Sequence, residues 1–353
     1  MEKLRTTLEG INPLHSTIMA ETKAYLDSLT KPLGSLGWLE DTAVQLAGIT
    51  GKMRNKFRKP VVIIGAADNG VVAEGVSSCP QEVTAAVTVN FTKGFTGINV
   101  FSRFAGCGIV VVDVGVKAYL PQEGILQKKI RWGTDNFTKG PAMTRSEAIQ
   151  AMETGISVVE EEVKKGADII GTGEMGIGNT TTSAAVLAVL SGRPASLVAG
   201  RGAGLSDEAL QHKIKVIEKG IGLNQPDPHD PIEVLAKVGG LDLAFLAGVC
   251  LGGAYCRVPV VIDGFIAGVA ALAAIRLCEK VRGYCLPSHS SAEAGAKILL
   301  EELGMRPPLD MGLRLGEGTG AALVFTLVEL IYRIMTEMGT FAQAGIEQYV
   351  PQN

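Results

Sequence analysis

Short apolar, β-branched runs recur between helical stretches, and several end in glycine or aspartate: PVVIIGA at 60 to 66, GIVVVDVG at 108 to 115, ADIIGTG at 167 to 173, PVVIDG at 259 to 264, ASLVAG at 195 to 200 and GYCLPS at 283 to 288. A strand that is apolar at nearly every position is buried on both faces. Where such strands alternate with helices, they form a parallel sheet covered on both sides. The expected fold class is α/β, a Rossmann-like, mostly parallel sheet flanked by helices. In open sheets of this kind ligands gather outside the carboxyl ends of the strands, so the residues there are the site candidates.

Helix signals agree. Residues 144 to 164 open with Thr144 and Glu147 at capping-box spacing and keep Ile149, Met152, Ile156, Val159 and Val163 on one face before Gly166. Ser290 and Glu293 repeat the spacing ahead of a helix closed by Gly304. Helical patterns near 16 to 29 and 38 to 50 precede the first strand, and a long apolar one near 320 to 338 follows the last. These terminal helices have no strand partner nearby in sequence and are expected to pair with one another. The predicted division is a sheet domain over residues 55–300, carrying phosphate-binding loops, and a small helical domain of 1–54 plus 301–353, with the Glu317 loop at the interface.

The composition is 46% hydrophobic but only 5% aromatic, and 44 glycines are spread along the chain, which suits many tight turns rather than a linker. A formal charge of -3 with no long Lys/Arg run argues against a nucleic-acid partner. The six cysteines form no C-x-x-C pair, and the N-terminal segment lacks the apolar core of a signal peptide, so a reducing cytoplasm is expected. The tract from Val258 to Ile275 is long enough to suggest a membrane span, but Pro259 and Asp263 divide it into strand, turn and helix, and no membrane partner is expected.

The stretch GTGEMGIGNTTTS, Gly171 to Ser183, begins as the dinucleotide fingerprint G-x-G-x-x-G. That fingerprint needs an acidic residue about 20 positions on, and residues 186 to 206 hold none. A dinucleotide-dependent oxidoreductase is therefore the weaker reading. A strand, a glycine turn, then Asn179, Thr180 and the hydroxyls after them at a helix start would aim N–H and O–H groups at a phosphate; a tight turn with a polar cap is the alternative. A second loop, GRGAGL at 200 to 205, carries Arg201, with Lys213 beyond it. In LRLGEGTGAAL, 313 to 323, Glu317 stands between glycines before an apolar helix. Desolvation there would make it a general base; the alternative is an exposed first-turn residue favouring the helix dipole.

The four histidines are scattered, and neither metal-ligand spacing nor a G-x-S-x-G elbow occurs. His289 reads as a turn residue near a cap. What remains is phosphate-holding loops and two carboxylates, a set suited to displacement at the sugar carbon of a phosphorylated ribose.

Seven motifs in order, KPLGSLGWLE at 31 to 40, GEMGIGNTTTSAA at 173 to 185, GRGAGL at 200 to 205, KVGGLDLAFLAG at 237 to 248, PVVIDGFI at 259 to 266, PSHSSAEAG at 287 to 295 and LRLGEGTGAAL at 313 to 323, resemble the nicotinate-nucleotide:dimethylbenzimidazole phosphoribosyltransferase family over nearly the whole chain. The resemblance implies transfer of phosphoribose from nicotinate mononucleotide to an aromatic lower-ligand base, 5,6-dimethylbenzimidazole or a related base. The products are the α-ribotide and nicotinate, with inversion at the anomeric carbon, in cobamide (vitamin B12) biosynthesis. It implies Glu317 as general base and Glu174 facing the ribose in the same site. Around phosphate and ribose it implies Gly176, Asn179, Thr180, Arg201, Gly202, Ala203, Lys213 and Ser291, and around the base Cys79, Val87 and Leu315. It further implies a dimer that needs no cofactor or metal.

The family's best-known members carry Asp-His-Gly where this chain has Asp68, Asn69 and Gly70, and a polar Ser and Gln where it has Cys79 and Val87. Two hydrogen-bonding positions have become less polar. The alternative expectation is a smaller acceptor, phenol or p-cresol, used by this chain as one subunit of a heterodimer with a paralogue. A non-catalytic subunit is the competing class, and the intact Glu174 and Glu317 argue against it.

Overall fold

A computed structural model describes residues 2–202 and 204–348. Its strands are β1 Pro60–Ala67, β2 Gly108–Gly115, β3 Ile125–Gln127, β4 Ile169–Met175, β5 Val260–Ile262 and β6 Cys285–Pro287. They form one sheet in the order β3-β2-β1-β4-β5-β6, with every neighbouring pair parallel. The chain builds outward from β1 to β3, then outward the other way from β4 to β6. Strand order therefore reverses between β1 and β4, and a crevice opens beyond their carboxyl ends. The expected α/β class and parallel sheet are present.

The period-two alternation of each strand sorts the core into two layers. Val61, Ile63, Val112, Ile170 and Val260 pack with the helices Arg145–Lys164, Leu241–Tyr255 and Gly264–Leu277. Val62, Ile64, Val111, Ile169 and Val261 pack with Ser16–Ser28, Trp38–Thr50 and Thr319–Glu337. Leu241–Tyr255 is buried at all positions but Tyr255 and carries a single charge, Asp242. The tract from Val258 splits into β5 and Gly264–Leu277, as its proline and aspartate require. Thr319–Glu337 is the one helix among the described residues long and apolar enough to cross a membrane, and half of that stretch is buried in the second core layer.

Thr144 and Glu147 form the expected capping box, and Gly304 closes its helix with φ +60°. Three expectations fail. ASLVAG is not a strand: Ala195–Val198 is a helical turn behind Pro194, its amides satisfied locally by Leu197 N–H to Pro194 O and Ala199 N–H to Ala195 O. The loop at 200 to 205 consequently does not follow a neighbouring strand. Ser290 and Glu293 do not cap a helix. Backbone bonds from Ser290 to Leu309 and from Ala292 to Leu313 hold that segment extended, and the helix begins at Ala296. Strand β3, three residues long, has too little pattern to be read from sequence.

Candidate active site

A cavity of about 590 Å³ lies beyond the carboxyl ends of β4, β5 and β6. Glu174, opposite Gly65 of β1, stands one residue before the end of β4 in its floor. Gly176 must lack a side chain, because a Cβ there would stand 2.7 Å from Asp242 Oδ2. Gly178, at φ +90°, turns the chain into helix Asn179–Ser191, whose N-terminus has no side-chain cap and faces the cavity. Asn179 Nδ2 donates to Glu174 Oε2 and, at 3.2 Å, to Asp242 Oδ2, holding two buried carboxylates together.

A buried ammonium lies beside this helix start. Lys213 is fully buried and donates to Thr180 Oγ1 at 2.9 Å and Gly200 O at 3.0 Å. Because an ammonium only donates, the Thr180 hydroxyl proton remains free for a ligand in the cavity. Burial pushes the Lys213 ammonium down to about 8, opposed by the Glu293 carboxylate. Gly202, with φ +52°, closes over Thr180, and Ser291 lines the adjacent wall.

Glu317 occupies the other end. Gly316, Glu317 and Gly318 have φ of +83°, +62° and +95°, three consecutive residues in the left-handed region. Glu317 Oε2 accepts the Ile98 N–H at 2.9 Å, near the start of helix Gly97–Ala105, and its own N–H points at Glu174 Oε1 at 3.4 Å. It is therefore not a first-turn residue of the helix that follows it. Partial burial raises its pKa, with the Ile98 N–H opposing. Val87, Leu315, Met175 and Ser77 give this end an apolar wall with one hydroxyl.

The floor is electrostatically loaded. Burial pushes Glu174 up to about 8, with Asn179 opposing and Asp242 and Asp263 adding repulsion. Burial likewise raises Asp263 to about 7 and Asp242 to about 6, both against hydrogen bonds that favour the ionised form. Burial pushes His289, in the wall, below the usual imidazole value. Among the described residues no group of three or more His, Cys, Asp or Glu is placed to hold a metal ion.

Of the residues expected from sequence, Glu174, Glu317, Gly176, Asn179, Thr180, Gly202, Ser291, Val87 and Leu315 meet on this one cavity. Lys213 stands behind its wall. Arg201 does not line it, since its guanidinium is turned to Asp207 and Leu205 O. Cys79 does not line it either; Ser77, two residues earlier, does. Ala203 lies outside the described residues. Sequence reasoning missed Asp242, Asp263, His289 and Glu293. The first two had a signal, a lone charge opening an apolar helix and an aspartate ending an apolar strand.

Fold and cavity define the class: a doubly wound α/β enzyme with a cavity at the carboxyl edge of its parallel sheet, lined by a helix start and buried carboxylates. The family follows from comparison with known proteins. A family model described as Phosphoribosyltransferase (DBI_PRT) matches residues 11–346. The chain is 55% identical over 346 residues, 98% of its length and 99% of the relative's, to nicotinate-nucleotide--dimethylbenzimidazole phosphoribosyltransferase of Acetivibrio thermocellus. It is 53% identical over 348 residues, covering 99% of each chain, to the protein of that name in Clostridium acetobutylicum. The crystal structure of CobT from Thermus thermophilus superposes with a TM-score of 0.90 at 40% identity, covering 94% of this chain and 100% of that one. The chain belongs to this phosphoribosyltransferase family.

Proposed function

We propose that the chain transfers phosphoribose from nicotinate mononucleotide to an aromatic lower-ligand base, 5,6-dimethylbenzimidazole or a related base, forming the α-ribotide and nicotinate for cobamide synthesis. The observation that carries this reading is the Glu317 carboxylate at an apolar end of the same cavity whose other end holds Thr180 and Gly202, with Lys213 behind Thr180. The substrate phosphate lies at the start of helix Asn179–Ser191, where the helix dipole, the Thr180 hydroxyl and the Lys213 charge favour an anion. The imine-type nitrogen of the acceptor ring attacks the anomeric carbon from the α face, while the ring's N–H passes its proton to Glu317. The bond from that carbon to the pyridinium nitrogen breaks, and its electron pair leaves with a neutral ring. The positive charge that develops on the ribose lies over Glu174, which the cationic substrate draws towards its ionised form.

Incubation with nicotinate mononucleotide and a panel of benzimidazoles, purines and phenols tests the reading. Release of nicotinate matched by an α-ribotide supports it, and no release with any acceptor overturns it. The enzyme works as a dimer in the cytoplasm: Phe95, Val100 and Phe104 expose an apolar face suited to a second copy, and the six cysteines are free thiols. The helices within 2–54 and 301–348 act as one helical layer, paired through the Leu29–Thr340 bridge and the Tyr25 hydroxyl on Met335 O, that covers one face of the 55–300 sheet domain.

A further inference from the structure

Asp263 follows β5 and stands at the N-cap of helix Gly264–Leu277, where an aspartate ordinarily accepts a hydrogen bond from its own helix. It makes no such bond. Its carboxylate instead crosses the end of the sheet, Oδ2 accepting the Gly318 N–H and Oδ1 the Gly320 N–H, both at 2.8 Å. Those donors open helix Thr319–Glu337, whose own N-cap, Gly318, has no side chain to offer. The backbone of Asp263 is fixed in turn. Its N–H donates to Thr172 Oγ1 on β4 at 3.0 Å, and the Thr172 hydroxyl donates to Val261 O at 3.3 Å.

The two facts explain each other. Position 318 needs φ +95°, which favours glycine, and so gives up a local cap; the same left-handed run lets Glu317 stand clear of the helix. A residue with a Cβ keeps such a conformation only when its surroundings hold it there. Asp263, 3% exposed, is the group that holds the next turn of backbone.

We propose that Asp263 is a positioning residue for the transfer reaction: by capping a helix that is not its own, it fixes the Gly316–Gly318 backbone and aims the Glu317 carboxylate at the acceptor. The proposal rests on the reading of Glu317 as general base. If Asp263 acts only through Glu317, removing both must cost no more than removing Glu317 alone, which a merely structural cap would not produce.

The test is a double-mutant cycle on the full-length protein. Asp263→Asn is expected to lower kcat roughly 10- to 100-fold, with KM for nicotinate mononucleotide within about threefold of wild type. In a Glu317→Ala background the same change is expected to lower turnover by less than about twofold. Multiplying losses, or a folded Asp263→Asn protein with kcat within about threefold of wild type, overturns the proposal. Thr172→Val, which frees the Asp263 backbone, decides the matter should Asp263→Asn not fold. A kcat lowered about threefold or more at unchanged KM supports the proposal, and unchanged kcat overturns it. A wild-type protein that releases no nicotinate with any acceptor overturns the underlying reading as well; an active wild type with an indifferent Asp263→Asn overturns this inference alone.

Discussion

Replacing Glu317 by alanine and by glycine separates the cost of its backbone from the use of its carboxylate. At φ +62° the residue lies in the left-handed region. That region is about 1 kcal/mol worse for alanine than for glycine, once the greater freedom of unfolded glycine is allowed for. Both variants lose the Oε2 that accepts the Ile98 N–H at 2.9 Å, a cap supplied to helix Gly97–Ala105 from outside it. Losing such a cap costs about 1 kcal/mol. Because that loss is common to both, their difference isolates the backbone.

For a chain of 353 residues, an unfolding entropy of about 2 cal/mol/K per residue makes 1 kcal/mol equivalent to about 1 to 2 °C in Tm. Glu317→Gly is therefore expected to melt about 1 to 2 °C above Glu317→Ala. Activity should not follow stability. Losing a general base costs about 100- to 10,000-fold in turnover in either variant, about 3 to 5 kcal/mol of barrier. Calorimetry and initial rates of nicotinate release measure the two effects on the same preparations. A glycine variant melting at or below the alanine variant refutes the strain argument. Either variant keeping more than about a tenth of wild-type kcat refutes the carboxylate as base.

Three further outcomes follow from the same geometry. Burial raises Glu174 to about 8, Asp263 to about 7 and Asp242 to about 6, from ordinary values of 4.5, 3.8 and 3.8. Across that window the folded protein holds protons the unfolded chain has lost, so stability falls as pH rises, and the ligand-free Tm is expected to be higher at about pH 6 than at about pH 8; the opposite order refutes the buried-acid floor. Lys213→Met removes the ammonium behind Thr180 and Gly200 and is expected to raise KM for nicotinate mononucleotide about tenfold or more, read from initial rates. Thr144→Ala breaks a capping box remote from the cavity; it is expected to lose about 1 kcal/mol, about 1 to 2 °C in Tm, with kcat unchanged in the same rate assay.

Legibility of the fold and site depended on how far apart in sequence the interacting groups lie. Strands buried on both faces declare themselves locally, and the Thr144 box needs only residues three apart, so both could be read directly. The Ala195–Val198 turn could not, because a short apolar run after a proline satisfies its amides locally whether or not a sheet edge is free. Glu174 drew attention as a carboxylate among glycines, and Glu317 as one before an apolar helix, but which of its two readings holds is decided by Ile98, 219 residues away. Asp263 is the limiting case. Local rules assign it to cap its own helix, while its actual partners stand 55 and 57 positions on. The departure from the local rule coincides with a run of three consecutive residues, 316 to 318, in left-handed backbone. A strained loop that carries a reactive carboxylate needs support from an element that does not share its strain, and the end of β5, a strand paired on both sides, gives that support.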